Sequence, residues 1–112
     1  MGNTSNRIKF FQDIALMVTQ LSNEGIRFMP TCFYRSQSEQ EEIVKRGVSK
    51  TLNSKHTKWL AMDFVLIKND NLVWLNCSEY KRAGEIWEGL GNIWGGRWQS
   101  LNDIYHFEFK GK

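Results

Sequence analysis

At 112 residues, 41% hydrophobic and 24% charged, the chain has the size of one domain with a sizeable core, spanning 1–112, and no sign of disorder or repeats. Lys and Arg exceed Asp and Glu by three; this leans towards an anionic partner such as nucleic acid or an acidic wall polymer, but the basic residues form no run. No apolar stretch approaches the roughly 18 to 20 residues of a membrane span. The start, "MGNTSNRIKFF", has neither the order of a secretory signal nor a myristoylation match, since Asn6 stands where Ser or Thr is wanted. Synthesis in a cytoplasm is the expectation.

Phe11, Ile14, Ala15, Val18 and Leu21 recur at helical spacing between Ser5 or Asn6 as N-cap and Gly25 as the stop, which predicts an amphipathic helix over 6–24. "IRFMPTCFY", 26–34, is β-branched and aromatic and predicts a strand; Pro30 assigns it to an edge or a bulge. Ser36 and Glu39 make a capping box for a short helix to about Arg46, ended by Gly47. A polar loop follows, "VSKTLNSKH". "LAMDFVLI" predicts a buried strand that turns at "NDN" into "LVWL", a hairpin over 60–75. Ser78 is placed to cap a further helix with Tyr80, Ala83, Trp87 and Leu90 on one face and Gly91 at its end. "IWGGRW" predicts a glycine-kinked loop and "YHFEF" a last strand. Trp74 and Trp87 are assigned to the core. Cys32 and Cys77, far apart and outside any Cys-x-x-Cys pair, read as buried free thiols, with a disulfide or metal role as the lesser alternative. The class is α+β: a small, mostly antiparallel sheet with helices on one face.

Only two histidines occur, and each stands near an aspartate: His56 before Asp63, and His106 after Asp103. Three ligands from His and Asp or Glu, with one position left open, make a catalytic zinc site. Such a centre lowers the pKa of a bound water towards 7, and a further carboxylate off the metal can carry the proton. His56, Asp63 and His106 as ligands with Asp103 as base would supply those parts. The spacing alone equally describes surface or core histidines. Asp63 adds weight, because a carboxylate inside "LAMDFVLI" needs a cation or donors against a desolvation penalty of several kcal/mol. A salt bridge to a nearby lysine would serve as well as a metal.

"SKHTKWLAMD" resembles the Ser-x-His-x-x-Gly-x-Ala-x-Asp motif of the zinc D-alanyl-D-alanine carboxypeptidase (VanY-like) family. "GGRWQSLNDIYHFEF" resembles the Gly-Gly-x-Trp … Asp-x-x-His-Phe-Glu close of its phage L-alanyl-D-glutamate endopeptidase endolysins, and "YRSQSEQ" their Tyr-Arg-Ser-x-x-x-Gln segment. The three blocks keep the family's order. The resemblance implies a zinc peptidase fold of the D-Ala-D-Ala carboxypeptidase/hedgehog type. It implies one Zn2+ per chain on His56, Asp63 and His106, and Asp103 as the catalytic acid/base. Arg35 would bind the substrate carbonyl or the developing oxyanion, a task suited to a fixed guanidinium fork; a structural ion pair is its other reading. Ser54 and Trp98 would line the substrate cleft, against a capping serine and a core aromatic. Gln40 and Glu108 would stand behind the contacts, Glu108 orienting an imidazole, although on bare chemistry it competes with Asp103 as base. The family's glycine is Trp59 here. A bulky residue does not take positive φ cheaply, so either the loop differs or that glycine is not obligatory.

The function so implied is zinc-dependent hydrolysis of the L-Ala–D-Glu bond in the bacterial peptidoglycan stem peptide, as in a phage endolysin. D-Ala–D-Ala carboxypeptidase activity is the alternative within the family. A non-catalytic binder of wall, glycan or nucleic acid is the alternative outside it, with aromatic rings stacking on sugars or bases. No aromatic–basic motif of an RNA-binding sheet is present. A monomer that uses no nucleic acid and no membrane insertion is expected, made in the host cytoplasm without a signal peptide and reaching the wall through a separate membrane pore.

Overall fold

A proline inside a strand restricts where that strand can lie, because its nitrogen cannot donate to a ladder. In the computed structural model, which describes residues 3–47, 54–99 and 102–111, Pro30 lies in β1 (Arg27–Cys32), at the edge of a five-stranded antiparallel sheet. The register slips by a bulge between Pro30 and Cys32. The expectation of an edge or a bulge is met by both.

The spine of the sheet is β2 (Ala61–Lys68). One of its edges carries β1; the other is shared by β3 (Asn71–Val73), against Leu66–Lys68, and β5 (His106–Glu108), against Ala61–Asp63. β4 (Ile93–Trp94) closes the far side on β5. Asn69 and Asp70 turn β2 into β3 with φ of 52° and 62°, the left-handed pair that a tight two-residue hairpin demands and that Asn and Asp tolerate.

Three helices complete the fold: α1 (Asn3–Asn23), α2 (Gln37–Lys45) and α3 (Ser78–Gly89). The Ser36–Glu39 capping box opens α2 in both directions, Ser36 accepting from the Glu39 amide and the Glu39 carboxylate from the Ser36 amide. Trp87, Tyr80 and Ala83 of α3 pack with Phe10, Met17 and Leu21 of α1 against Met62, Phe64 and Leu66 of β2 and Phe107 of β5. Each such large side chain, fully buried, stabilises by about 1.5–3 kcal/mol relative to exposure. Trp87 donates its indole N–H to the Ile93 and Glu108 carbonyls, and the Tyr80 hydroxyl links the Leu66 amide to the Val73 carbonyl.

Several expectations are corrected. The first helix begins at Asn3, so Ser5 and Asn6 lie inside it. Its buried face is Phe10, Asp13, Ile14, Met17 and Leu21, whereas Phe11 and Val18 are exposed and Ala15 lies on the outer side. The buried Asp13 is held by Lys9 and by Asn92, which allows a carboxylate to stand in the apolar stripe. Cys77, not Ser78, occupies the N-cap of α3, with no side-chain hydrogen bond. Trp74 falls just past β3 and is 55% exposed, packing edgewise on Tyr105. "IWGGRW" forms a short strand and a 3-10 turn, Gly95–Arg97, instead of a plain loop. Both cysteines are free, as expected, but only half-buried. Residues 48–53 of the expected polar loop lie outside the described ones.

Candidate metal centre

The sheet register brings the site together. Asp63 on β2 is directly opposite Cys32 on β1 and directly opposite His106 on β5. Directly paired residues of antiparallel strands project to the same face, so thiol, carboxylate and imidazole form one row. His56 reaches the row from a 3-10 turn, Lys55–Lys58, that runs into β2. Ser54 caps that turn, its Oγ accepting the His56 amide at 3.2 Å, and the His56 carbonyl accepts from the Arg35 amide. Of its two expected parts, Ser54 has the capping one in these contacts.

His56 Nε2 lies 3.2 Å and His106 Nδ1 3.4 Å from the same oxygen, Oδ1 of Asp63. The imidazole rings are 5.2 Å apart between centroids. Each ring turns its other nitrogen to an acceptor: His56 Nδ1 to the Phe33 carbonyl at 3.3 Å, His106 Nε2 to Glu108 Oε1 at 2.9 Å. No lysine reaches Asp63 among the described contacts; Lys55 goes to Glu108 and the Phe109 carbonyl. Asp103 joins from the segment before β5. Its amide donates to the Gly95 carbonyl, its carbonyl accepts from His106, and its Oδ1 accepts the Tyr105 amide. Two donor clusters follow, Cys32–His56–Asp63 and Asp63–Asp103–His106, each with its ligand atoms within 4.8 Å and Asp63 in common.

Burial, the largest single influence, pulls the His56 pKa down, but the hydrogen bonds to Asp63 and Cys32 and the charges of both groups together outweigh it and hold the imidazole at about 9. His106 is also raised, burial being overcome by Asp63 and Glu108. Burial alone would lift Asp63; the two imidazoles bring it down to about 2. Asp103 goes the other way, raised by burial and then by the Asp63 charge. Without a metal, protons on the imidazoles neutralise the shared carboxylate. Histidine nitrogens facing a carboxylate, each fixed from behind by an acceptor, are the donor chemistry that zinc takes, with the outer partners setting tautomer and orientation. The residues therefore fit the ion.

Arg35 stands one side chain away, its guanidinium donating to buried Gln40 Oε1 at 2.8 Å and to Cys32 Sγ at 3.6 Å. The Trp98 ring lies 4.9 Å from that of His106. Sequence reasoning held a metal role for Cys32 only as the lesser alternative; its Sγ is 3.7 Å from His56 Nδ1, a proximity that no motif points to and that the strand register supplies. At the family's glycine position the second expectation holds, that glycine is not obligatory, although a bulky residue takes the positive φ there. Trp59 caps the 3-10 turn in the left-handed region itself, φ 63° and ψ 32°, a conformation costing an L-residue about 1–2 kcal/mol, and it stacks on Tyr34 at 4.4 Å.

Residues 47–109 match the family model described as D-alanyl-D-alanine carboxypeptidase. Over 105 residues the chain is 33% identical to the peptidoglycan L-alanyl-D-glutamate endopeptidase CwlK of Bacillus subtilis, covering 78% of this chain and 63% of that protein. It is 31% identical to the L-alanyl-D-glutamate peptidase of Listeria phage A118, covering 80% of this chain and 33% of that one. The fold superimposes on the crystal structure of the Serratia marcescens L-Ala D-Glu endopeptidase ChiX with a TM-score of 0.67 at 28% identity, covering 85% and 77% of the two chains. It gives the same TM-score of 0.67 with the vancomycin-resistance D,D-pentapeptidase VanY in complex with Zn(II), covering 93% and 72%; at 16% identity this speaks to the fold alone. The chain thus spans 63% of the length of the Bacillus subtilis relative and 33% of that of the Listeria phage one.

Proposed function

The chain belongs to the D-alanyl-D-alanine carboxypeptidase family, and from that premise we propose that it is a zinc-dependent peptidase of bacterial peptidoglycan, hydrolysing the L-Ala–D-Glu bond of the stem peptide as phage endolysins do. The observation that carries the reading is Asp63: a carboxylate inside a strand, met by two imidazole nitrogens and by no lysine among the described contacts. His56, Asp63 and His106 would hold one zinc ion. When bound, the ion polarises a carbonyl and makes water acidic enough to attack near neutral pH. Asp103 takes a proton from the attacking water and returns it to the leaving amine nitrogen; its raised pKa suits a group that must both accept and give. Arg35, held by Gln40, offers its guanidinium to the oxygen that gains charge. Glu108 and the Phe33 carbonyl keep the imidazoles turned. Trp98 walls the side of His106.

The bond assignment leans on the endopeptidase names of the relatives. The family's own description favours D-Ala–D-Ala cleavage as the second reading. The rest of the proposal is a monomeric catalytic domain over 1–112, since one chain supplies all four groups, that reaches the wall through a separately made membrane pore. No helix among the described residues is long and apolar enough to cross a membrane.

Digestion of purified murein followed by mass spectrometry of the products tests both the activity and the bond. New N-termini at D-Glu are expected, lost on chelation and regained with zinc. Asp103→Ala is expected to keep zinc stoichiometry and thermal stability while losing at least about a hundredfold in turnover, the lower end of a general acid–base contribution. Unaltered stem peptides from the zinc-loaded protein would overturn the reading.

A further inference from the structure

A β-bulge beside a reactive cluster re-aims a side chain, and the bulge in β1 does so at Cys32. Pro30 pairs with Phe64 and Cys32 with Asp63, so Thr31 is the extra residue. Thr31 is exposed, its hydroxyl donating to the Asp63 carbonyl at 3.4 Å, and the ladder position facing Asp63 falls to the cysteine. The sulfur so placed meets two nitrogens of the site. Arg35 Nη2 donates to it at 3.6 Å, and His56 Nδ1 lies 3.7 Å away. These contacts differ in what they add. His56 Nδ1 already faces the Phe33 carbonyl at the shorter distance of 3.3 Å, so its orientation is set without the sulfur.

For Arg35 the sulfur is the second point of a clamp. The arginine amide donates to the His56 carbonyl, Nη1 donates to fully buried Gln40, and Nη2 to Cys32. A planar guanidinium held at one terminal nitrogen can swing about that contact; held at both, it keeps one plane and one direction. A metal role is the competing use of the sulfur, since Sγ, a His56 nitrogen and an Asp63 oxygen lie within 4.8 Å of one another. Two features count against it. The sulfur stands at Nδ1, whereas Nε2 is the nitrogen that faces Asp63. The guanidinium it touches would also repel a cation placed there.

We propose that Cys32 is a positioning residue for Arg35: its sulfur fixes the plane of the guanidinium, so that the second hydrogen on each terminal nitrogen is aimed at the oxygen that gains charge. The inference rests on the reading of Arg35 as the donor to that oxygen. Its first test needs no turnover. In chelator-treated, nitrogen-15-labelled full chain, the Arg35 guanidinium signals, assigned by their loss in Arg35→Lys, are expected to show two distinct Nη resonances. They should merge in Cys32→Ala and in Cys32→Val, which fills the space without accepting, and stay distinct in Cys32→Ser. Merged signals in the wild type, or distinct ones in Cys32→Val, overturn the proposal. In the zinc-loaded protein, kcat on murein is expected to fall about tenfold in Cys32→Ala and Cys32→Val, short of the hundredfold that a displacement of about 1 Å can cost. KM and zinc affinity should be unchanged, as for an interaction made only in the transition state, and Cys32→Ser should recover most of the rate. Added to Arg35→Ala, Cys32→Ala should cost nothing further, because the two share one role. Losses that multiply overturn the proposal and leave the reading of Arg35 standing. So does a loss of zinc affinity that excess zinc repairs, since the sulfur would then act through His56, or a sulfur-to-metal charge-transfer band in the cobalt-loaded chain. A wild type with the expected Arg35 signals that cuts no murein keeps the clamp and sinks the peptidase reading.

Discussion

Glu108 and Asp103 are both carboxylates within three residues of His106, yet their positions separate their work. Glu108 Oε1 touches Nε2, the nitrogen turned away from Asp63, and Lys55 holds its other oxygen at 3.7 Å. A carboxylate so placed fixes the tautomer that leaves Nδ1 free to bind a metal. Asp103 lies on the other side, in the cluster with Asp63 and His106 Nδ1. Removing an outer partner of this kind costs about 10- to 100-fold in metal affinity. Glu108→Ala is therefore expected to weaken zinc by that factor in a competition titration with a chromophoric chelator, while saturating zinc restores most of the turnover. If Glu108 were the proton carrier, the titration would be unchanged and excess zinc would restore nothing.

At the scale of elements, the double glycine before Trp98 has a local cause. A Cβ on Gly95 would lie 2.4 Å from the Asp103 carbonyl oxygen and 3.0 Å from His106 Cβ, so the turn can approach the site segment only without a side chain. Gly95→Ala is expected to destabilise by about 1–3 kcal/mol, the range of overpacking, and to lower turnover by displacing Asp103. Gly89, in α3 with nothing within 4 Å of its built Cβ, serves as the contrast: Gly89→Ala should stabilise by about 0.4–1 kcal/mol. Thermal and denaturant melts of the two variants check both signs. Motifs with local physics were legible in the letters: the capping box at Ser36, the Asn69–Asp70 turn, the apolar β2, the edge role of Pro30. Features chosen by partners were not. Helix α1 carries apolar residues on two sides, Phe10, Ile14 and Met17 on one and Ile8, Phe11 and Leu16 on the other, and only the packed sheet decides which is buried. The row of Cys32, Asp63 and His106 depends on strand register, which no single segment encodes, so the histidines and aspartates were found through their motifs, whereas a metal role for Cys32 stood only as the lesser alternative. Trp59 taking the left-handed turn illustrates the same limit, because propensity argues against it and the Tyr34 and Phe33 rings around it argue for it.

At the scale of the whole molecule, the site couples metal, protons and stability. In the metal-free chain His56 is raised to about 9 from its ordinary 6.5. Its contribution to stability is full below the unfolded value and is lost as pH rises through about 9. Asp63, brought down to about 2 from 3.8, contributes above its unfolded value and is lost only as pH falls through about 2. The metal-free fold should accordingly be most stable between about pH 4 and 6.5 as far as this pair is concerned, and weaken steadily towards pH 9. Zinc reverses the upper limb. It binds neutral imidazoles and expels their protons, so its affinity climbs across the interval in which the free site is losing its own charge pair, and a ligand bound only by the native state raises stability with its affinity. The gap in melting temperature between zinc-loaded and chelated protein is thus expected to widen from about pH 6 to about pH 8.5, with proton release on zinc addition falling over the same range. A gap that stays constant with pH would mean that the ion is held by groups other than the two histidines. His106→Gln, which cannot take up a proton, should flatten the dependence without abolishing it, because His56 continues to titrate against Asp63.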